Sequence, residues 1–229
     1  MNDIEETRQI AESLEGWLYP REGPKLYELA KACRAGVIVE IGSWKGKSTV
    51  WLARGALAGA APPIYAIDPH QGSESGQPTF DAFQRNLAAA GVAESVTPVI
   101  STSAAAAADF ALPIGLLFID GDHSVEAVED DLRSWAPQIV DGGVLAAHDA
   151  SLSELAVHGP RRALRSWAVG NRDFGDLQVA GTIVYATRGA SGRNSLGRLA
   201  ALSVAEGLRV HPSQPACDAA FVVRHFLRR

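Results

Sequence analysis

The chain of 229 residues is long enough for one domain of about 150 residues with extensions, and its 47% hydrophobic and 21% charged residues exclude a disordered chain. A net charge of −5, from 21 basic and 26 acidic side chains, argues against nucleic acid and anionic membranes as partners. No apolar run is long enough to span a bilayer, and two cysteines are too few for a disulfide scaffold, so we expect a soluble, cytoplasmic protein.

Short apolar runs alternate with amphipathic segments, a pattern typical of an α/β fold around a mostly parallel sheet. Pro98 removes a backbone donor from the third run, which predicts that this strand lies at a sheet edge. The predicted strands are Val37–Ile41, Ile64–Ile67, Val96–Ile100, Leu116–Ile119, Val144–Ala147, Leu177–Ala180 and Thr182–Ala186, and the helices between them are Lys47–Leu57, Thr79–Ala90, Ala104–Phe110, Val125–Trp135 and Arg161–Ala168. Gly181 separates the last two strands, which indicates a closing hairpin.

Three regions follow from this pattern. Residues 1–35 are predicted to form an N-terminal helical cap of two helices, and residues 36–188 the domain that holds the sheet. Residues 189–229 are predicted to form a helical tail after a flexible linker. Because two apolar stripes in this tail, around Leu199 and Phe226, lie outside the domain, we expect them to support a homodimer.

A glycine-rich turn, Glu40-Ile41-Gly42-Ser43-Trp44-Lys45-Gly46, follows the first strand and leads directly into a helix. Glycines let the backbone approach a ligand, and the helix N-terminus offers free N–H groups. The sequence Gly46-Lys47-Ser48 matches the end of a phosphate-binding loop, which would make the chain a nucleotide hydrolase or kinase. The loop has three residues after Gly42, however, where a phosphate-binding loop needs four, and the dinucleotide motif Gly-x-Gly-x-x-Gly is absent.

The pattern Glu-x-Gly-x-x-x-Gly at this turn resembles the first motif of class I S-adenosylmethionine methyltransferases. Asp68 ends the second strand, where an acid can accept hydrogen bonds from both ribose hydroxyls, although Asp-Pro is also a common turn start. Ser101, just after the third strand, is either close to the adenine or an ordinary helix cap, and the sequence leaves both open. The cofactor-binding residues that we expect are Glu40, Gly42, Ser43, Gly46, Ser48, Asp68, Ser101 and Asp120.

Acidic residues and histidines follow the next two strands. The fourth strand ends in Asp120-Gly121-Asp122-His123, and the fifth ends in His148-Asp149. Because ligands bind outside the carboxyl ends of the strands in an open α/β sheet, Asp120, His148 and Asp149 can converge on one ion. The alternative is that Asp120 caps a loop and His148 is a satisfied histidine at a strand end.

Together these segments, from Glu22-Gly23-Pro24 to Tyr185, resemble the metal-dependent O-methyltransferases of class I, in particular macrocin-type sugar O-methyltransferases and cephalosporin-hydroxylase-like proteins. The resemblance implies a Rossmann-like, seven-stranded, mostly parallel sheet of order 3-2-1-4-5-7-6 with helices on both faces. It also implies that Asp120, His148 and Asp149 bind a divalent metal, Mg or Mn. Relatives often have Asp-Asp or Asp-Asn where this chain has His148-Asp149, and imidazole suits manganese, iron or zinc better than magnesium.

The predicted reaction is methyl transfer from S-adenosylmethionine to a hydroxyl. A divalent ion lowers the pKa of a coordinated hydroxyl, and a nearby base takes the proton. Asp122 is the preferred base and His123 the alternative. The polar residues after the fifth strand, Ser151, Ser153, Glu154, His158, Arg161 and Arg162, favour a carbohydrate acceptor over a catechol or phenol. A non-catalytic S-adenosylmethionine-binding regulator is the alternative outside the enzymes.

Overall fold

A computed structural model describes residues 3–72, 76–151 and 158–190. Two helices, α1 and α2, precede the sheet, and helices then alternate with strands. The helices are α1 (Asp3–Glu12), α2 (Glu22–Ala32), α3 (Lys47–Leu57), α4 (Phe80–Ala89), α5 (Ser103–Asp109), α6 (Val125–Trp135) and α7 (His158–Gly170); the strands are β1 (Val37–Ile41), β2 (Ile64–Ile67), β3 (Val96–Val99), β4 (Ile114–Ile119), β5 (Ile139–Ala147), β6 (Phe174–Ala180) and β7 (Ile183–Arg188). The predicted tail and its apolar stripes, from residue 191 onward, lie outside the described residues.

The strands form one seven-stranded sheet of order β3-β2-β1-β4-β5-β7-β6. β1 to β5 pair in parallel, and β7 pairs antiparallel with both β5 and β6. The predicted class I topology is therefore confirmed. Pro98 lies on the edge strand β3, as its missing backbone donor requires.

The central strands are buried on both faces because helices cover both sides of the sheet. All six residues of β4 and all five of β1 are buried, which explains why both strands are apolar apart from Glu40. One core cluster includes Trp135 of α6, and the other, on the opposite face, includes Leu52 of α3.

The N-terminal cap packs on α3. A Cβ on Gly55 of α3 would lie 2.3 Å from the backbone oxygen of Tyr27 in α2, so only a glycine permits this close approach of the two helices. None of the helices in the described part of the chain is long and apolar enough to cross a membrane.

Six strand ends differ from the predicted ones: β3 ends one residue earlier, β4, β5 and β6 begin earlier, and β7 begins one residue later and ends two residues later. The predicted seventh strand includes Thr182, but β7 begins at Ile183. The Thr182 N–H is donated to the Glu22 carboxylate, and its backbone oxygen accepts the N–H groups of Ala150 and Ser151, so Thr182 is not available to the strand ladder. β5 begins at Ile139, five residues before the predicted start, because the sheet continues through Gly142 and Gly143.

Candidate active site

The glycine-rich turn after β1 lies directly against the end of β4. Gly42 has φ +87°, and a Cβ there would lie 2.1 Å from the backbone oxygen of Asp120, so this position requires glycine. Gly46 precedes α3 in the left-handed conformation and, as a glycine, provides no side-chain cap for the helix. The first N–H groups of α3 are therefore available to a polar ligand.

Ser43 has a buried hydroxyl group in this turn. Its side chain is only 2% exposed, and within the described residues its Oγ has no hydrogen-bond partner. A buried hydroxyl without a partner is costly, so a polar ligand fits here. This observation supports the predicted cofactor-binding role of Ser43.

Glu40 and Ser48 contact each other rather than an open cleft. Glu40 is fully buried, and its two oxygens accept hydrogen bonds of 2.5 Å from Ser48 Oγ and Thr49 Oγ1. Burial raises the pKa of Glu40 to about 7, although these hydrogen bonds oppose the increase. Glu40 therefore ties β1 to α3, and its direct contact with the cofactor, like that of Ser48, stays a prediction.

Asp68 connects the turn after β1 to the turn after β2. Its Oδ2 accepts the N–H of Trp44 at 2.8 Å, and its Oδ1 accepts the N–H of His70 at 2.6 Å. Its side chain remains 15% exposed at the carboxyl edge of the sheet. These contacts place Asp68 beside the glycine-rich turn. The ribose contact stays a prediction, as does the adenine contact of the partly exposed Ser101.

Lys47, the lysine of the phosphate-loop pattern, holds the N-terminal cap. Its Nζ donates to the backbone oxygens of Leu14 and Gly16 at 3.1 and 3.2 Å. Nearby, the Trp17 ring stacks on the Trp44 ring at 4.7 Å. Because its ammonium group is already engaged by these carbonyls, Lys47 is not positioned to bind phosphates.

The predicted metal ligands do come together where β4 and β5 end. The His148 Nδ1 lies 3.0 Å from Asp120 Oδ1 and 3.7 Å from Asp149 Oδ2. Asp149 has φ +51°, an uncommon conformation for a residue other than glycine. The His148 ring thus lies beside two carboxylates at the carboxyl edge of the sheet.

A third carboxylate completes the surroundings of His148. Glu22, the first residue of α2, is fully buried, and its Oε2 lies 2.9 Å from His148 Nε2. Sequence reasoning gave Glu22 no role, because an acid at the start of a helix looks like an ordinary favourable charge. Only the fold, which brings together residues 126 positions apart, reveals the contact.

The charges in this cluster depend on one another. Burial disfavours a charged His148, but Asp120 and Glu22 outweigh this and hold its pKa well above the ordinary value. Burial likewise opposes ionisation of Asp120, but His148 and His123 hold its pKa below the usual range. For Asp149, burial dominates and raises the pKa.

The two candidate bases have different contacts. Asp122 Oδ1 accepts the Ser124 N–H at 2.6 Å, and this hydrogen bond holds the pKa of Asp122 below its usual range. His123 Nε2 lies 3.6 Å from Asp120 Oδ1, and this nearby carboxylate raises the pKa of His123. His123 therefore contacts the Asp120 carboxylate, whereas Asp122 stabilises a turn.

A metal centre with three protein ligands does not fit this arrangement. Among residues 3–72, 76–151 and 158–190, no three His, Cys, Asp or Glu side chains are arranged so that they could hold one ion. Both nitrogens of His148 face carboxylates, so the ring is not free to act as a ligand here. Magnesium commonly takes one or two carboxylates and completes its shell with water and substrate oxygens, and the chemistry of Asp120 and Asp149 fits that smaller set.

The predicted acceptor residues are only partly described. Ser151 is buried, Arg161 is partly exposed and Arg162 is exposed at the start of α7. Ser153 and Glu154 lie outside the described residues, and so does the side chain of His158. The acceptor pocket therefore stays a prediction.

Comparison with known proteins gives one family match. Residues 39–150 match the family model of a methyltransferase domain. This range contains the glycine-rich turn and the site residues that follow β4 and β5, but it excludes Glu22.

Solved structures share the fold at low sequence identity. The chain is similar to cofactor-bound Rv0187 from MTB (22% identity, TM-score 0.58, covering 83% of this chain and 91% of that one). It is also similar to the O-methyltransferase TomG from Streptomyces achromogenes, involved in tomaymycin synthesis and solved with SAM (19%, 0.58, 83% and 91%). A third match is the O-methyltransferase from Bacillus cereus, in complex with SAH (19%, 0.58, 82% and 91%).

Proposed function

We propose that the chain is a class I S-adenosylmethionine-dependent O-methyltransferase that methylates a carbohydrate hydroxyl with the help of a divalent ion held by Asp120 and Asp149. One observation carries this proposal. The carboxylates of Asp120 and Asp149, at the ends of β4 and β5, lie next to the glycine-rich turn, because Gly42 packs against the backbone of Asp120. This adjacency supports a cofactor site and an acceptor site at one edge of the sheet, as methyl transfer requires.

Each part of the site has a distinct task in this proposal. The turn at Gly42 and Ser43, with the N-terminus of α3, binds the cofactor, and Asp68 binds its ribose. A divalent ion, when bound, lowers the pKa of the acceptor hydroxyl. Asp120 and Asp149 hold that ion and orient the acceptor beside the cofactor turn.

We assign proton removal to His123 rather than to Asp122. Asp122 Oδ1 is already used by the Ser124 N–H, whereas the exposed His123 ring lies 3.6 Å from Asp120 Oδ1. His123→Asn should therefore reduce turnover by about 10²–10⁴-fold, the usual effect of removing a general base. Asp122→Asn should reduce turnover less, and the reverse order would restore Asp122 as the base.

The carbohydrate acceptor rests on the polar residues that begin α7, Arg161 and Arg162, together with the polar sequence before them. Hydrogen-bonding groups of this kind favour acceptors with several hydroxyls over the apolar ring of a catechol. A competition assay with labelled S-adenosylmethionine would offer catechol, caffeate, hexosides and oligosaccharides together. Methylation of catechols with no transfer to any saccharide would refute the carbohydrate acceptor alone.

Metal dependence has its own test. We expect EDTA to abolish turnover and magnesium or manganese to restore it, while S-adenosylmethionine still binds. Asp149→Ala should abolish turnover in the same way, and Asp130→Ala, which removes an exposed carboxylate of α6, is the matched control. Full activity of the chelated enzyme would exclude the ion and leave the cofactor assignment unaffected.

A further inference from the structure

Glu22 of the N-terminal cap contacts His148 directly and is linked to Asp149 through Thr182. We propose that Glu22 is a positioning residue for methyl transfer, one that fixes the His148 ring and the loop at Asp149 and thereby the carboxylates of Asp120 and Asp149. This role rests on the proposed function, because the positioned groups are those of the transfer reaction.

The Glu22 carboxylate has a full set of hydrogen bonds. Its Oε1 accepts the N–H and the Oγ1 hydroxyl of Thr182 at 2.7 and 2.8 Å. Its Oε2 accepts the N–H of Tyr19 at 2.7 Å and contacts His148 Nε2 at 2.9 Å. Because the side chain is fully buried and contacts these groups on both oxygens, it is held in one orientation.

One of these contacts determines how His148 faces the site. The hydrogen bond at one imidazole nitrogen fixes the direction in which the other nitrogen points. With Nε2 on Glu22, Nδ1 points to Asp120 Oδ1 at 3.0 Å. A rotation of the ring would break both contacts, so Glu22 fixes the position of the Asp120 carboxylate through His148.

The other contact reaches Asp149 through Thr182. The Thr182 Oγ1 donates to Glu22 and accepts the N–H of Asp149 at 3.2 Å. Asp149 has a positive φ, a conformation that persists only when its surroundings hold it. The hydrogen bond from its N–H to Thr182 supplies part of that support, and Glu22 orients the hydroxyl that accepts it.

The turn between β6 and β7 is shaped to admit Glu22. Gly181 has φ +65°, and a Cβ there would lie 2.6 Å from Glu22 Oε1. The space at this turn is therefore occupied by the carboxylate of the cap helix.

Glu22→Gln tests the role, because it keeps the shape of the side chain but replaces one acceptor oxygen by a donor. Leu26→Ala on the same helix is the matched control, since Leu26 is fully buried in the core and is not part of the Glu22 hydrogen-bond network. For each full-length protein we would measure kcat, the Kd of S-adenosylmethionine, the Kd of Mn²⁺ by electron paramagnetic resonance, the melting temperature and the ¹⁵N signals of the His148 ring.

We expect Glu22→Gln to lower kcat or Mn²⁺ affinity by about 10–100-fold, the usual effect of losing a group that orients metal-binding carboxylates without binding the metal itself, with the Kd of S-adenosylmethionine unchanged. Leu26→Ala should lower the melting temperature and leave kcat, measured well below that temperature, at the wild-type value. Wild-type kcat and Mn²⁺ affinity in Glu22→Gln would overturn the proposal. So would losses of kcat that follow the loss of stability equally in both variants.

Failure of the proposed function would look different. In that case the wild-type protein would transfer no methyl group to any hydroxyl acceptor, and the ring signals would decide the matter. Signals of His148 that change in Glu22→Gln but not in Leu26→Ala would support the positioning role, and unchanged signals in both would overturn it.

Discussion

The pKa of the buried acid Glu40 can be tested directly through the pH dependence of stability. Burial raises its pKa from 4.5 to about 7. An acid whose pKa is higher in the folded than in the unfolded state favours folding only while it is protonated. Its contribution to stability is therefore fully present below pH 4.5 and is lost as the pH rises through 7. At 1.36 kcal/mol per pKa unit, the interval from 4.5 to about 7 corresponds to about 3 kcal/mol of unfolding free energy.

Glu40→Gln should remove this pH dependence, because glutamine stays neutral and can still hydrogen-bond with Ser48 and Thr49. Urea unfolding at several pH values between 4 and 8 would give the difference in stability between the two proteins. We expect that difference to move in favour of the glutamine variant by about 3 kcal/mol across this range. Glu94→Gln, at an exposed position, is the control for the loss of a carboxylate. A difference that stays constant with pH would refute the raised pKa of Glu40.

Three further predictions concern the cofactor, the site loop and the assembly. Asp68→Ala should raise the Kd of S-adenosylmethionine by about 10–100-fold, as expected for the loss of hydrogen bonds worth about 1–3 kcal/mol. A wild-type Kd in calorimetry would show that Asp68 is not part of the cofactor site. Gly159→Ala would place a Cβ 1.8 Å from the backbone oxygen of His123. We therefore expect the unfolding free energy to fall by about 1–3 kcal/mol and turnover to decrease. An unchanged melting temperature would contradict the close contact. Light scattering should give twice the 24.2 kDa of one chain, and the monomer mass at all concentrations would reject the homodimer.

The sheet was predictable because its signals are local. Continuous apolar runs mark strands covered on both faces, and the missing donor of Pro98 identifies the edge strand without any knowledge of tertiary structure. The strand order came from the resemblance to a known family. The sequence predicts Thr182 as the start of a strand because it follows Gly181 and opens an apolar run, but its hydrogen bonds with the distant Glu22 keep it out of β7.

The site was predictable only in part. The sequence brings Asp120, His148 and Asp149 together because parallel strands end at one edge of the sheet. The sequence does not indicate that both ring nitrogens of His148 face carboxylates. One of these carboxylates belongs to Glu22 in the N-terminal cap, which is distant in sequence. Lys47 is a similar case. Its pattern suggests a phosphate ligand, but the carbonyls of Leu14 and Gly16 take its ammonium group.

The contact between Glu22 and Thr182 also bears on the order of folding. These residues are 160 positions apart, so their hydrogen bonds close a very long loop. Contacts at such separation form slowly, and a chain that emerges from the ribosome N-terminus first cannot make them until the β6–β7 hairpin has been synthesised. We therefore expect α2 to reach its final position only after the β6–β7 hairpin has formed. His148 and Asp149, which depend on Glu22 and Thr182, should be among the last residues of the molecule to become ordered.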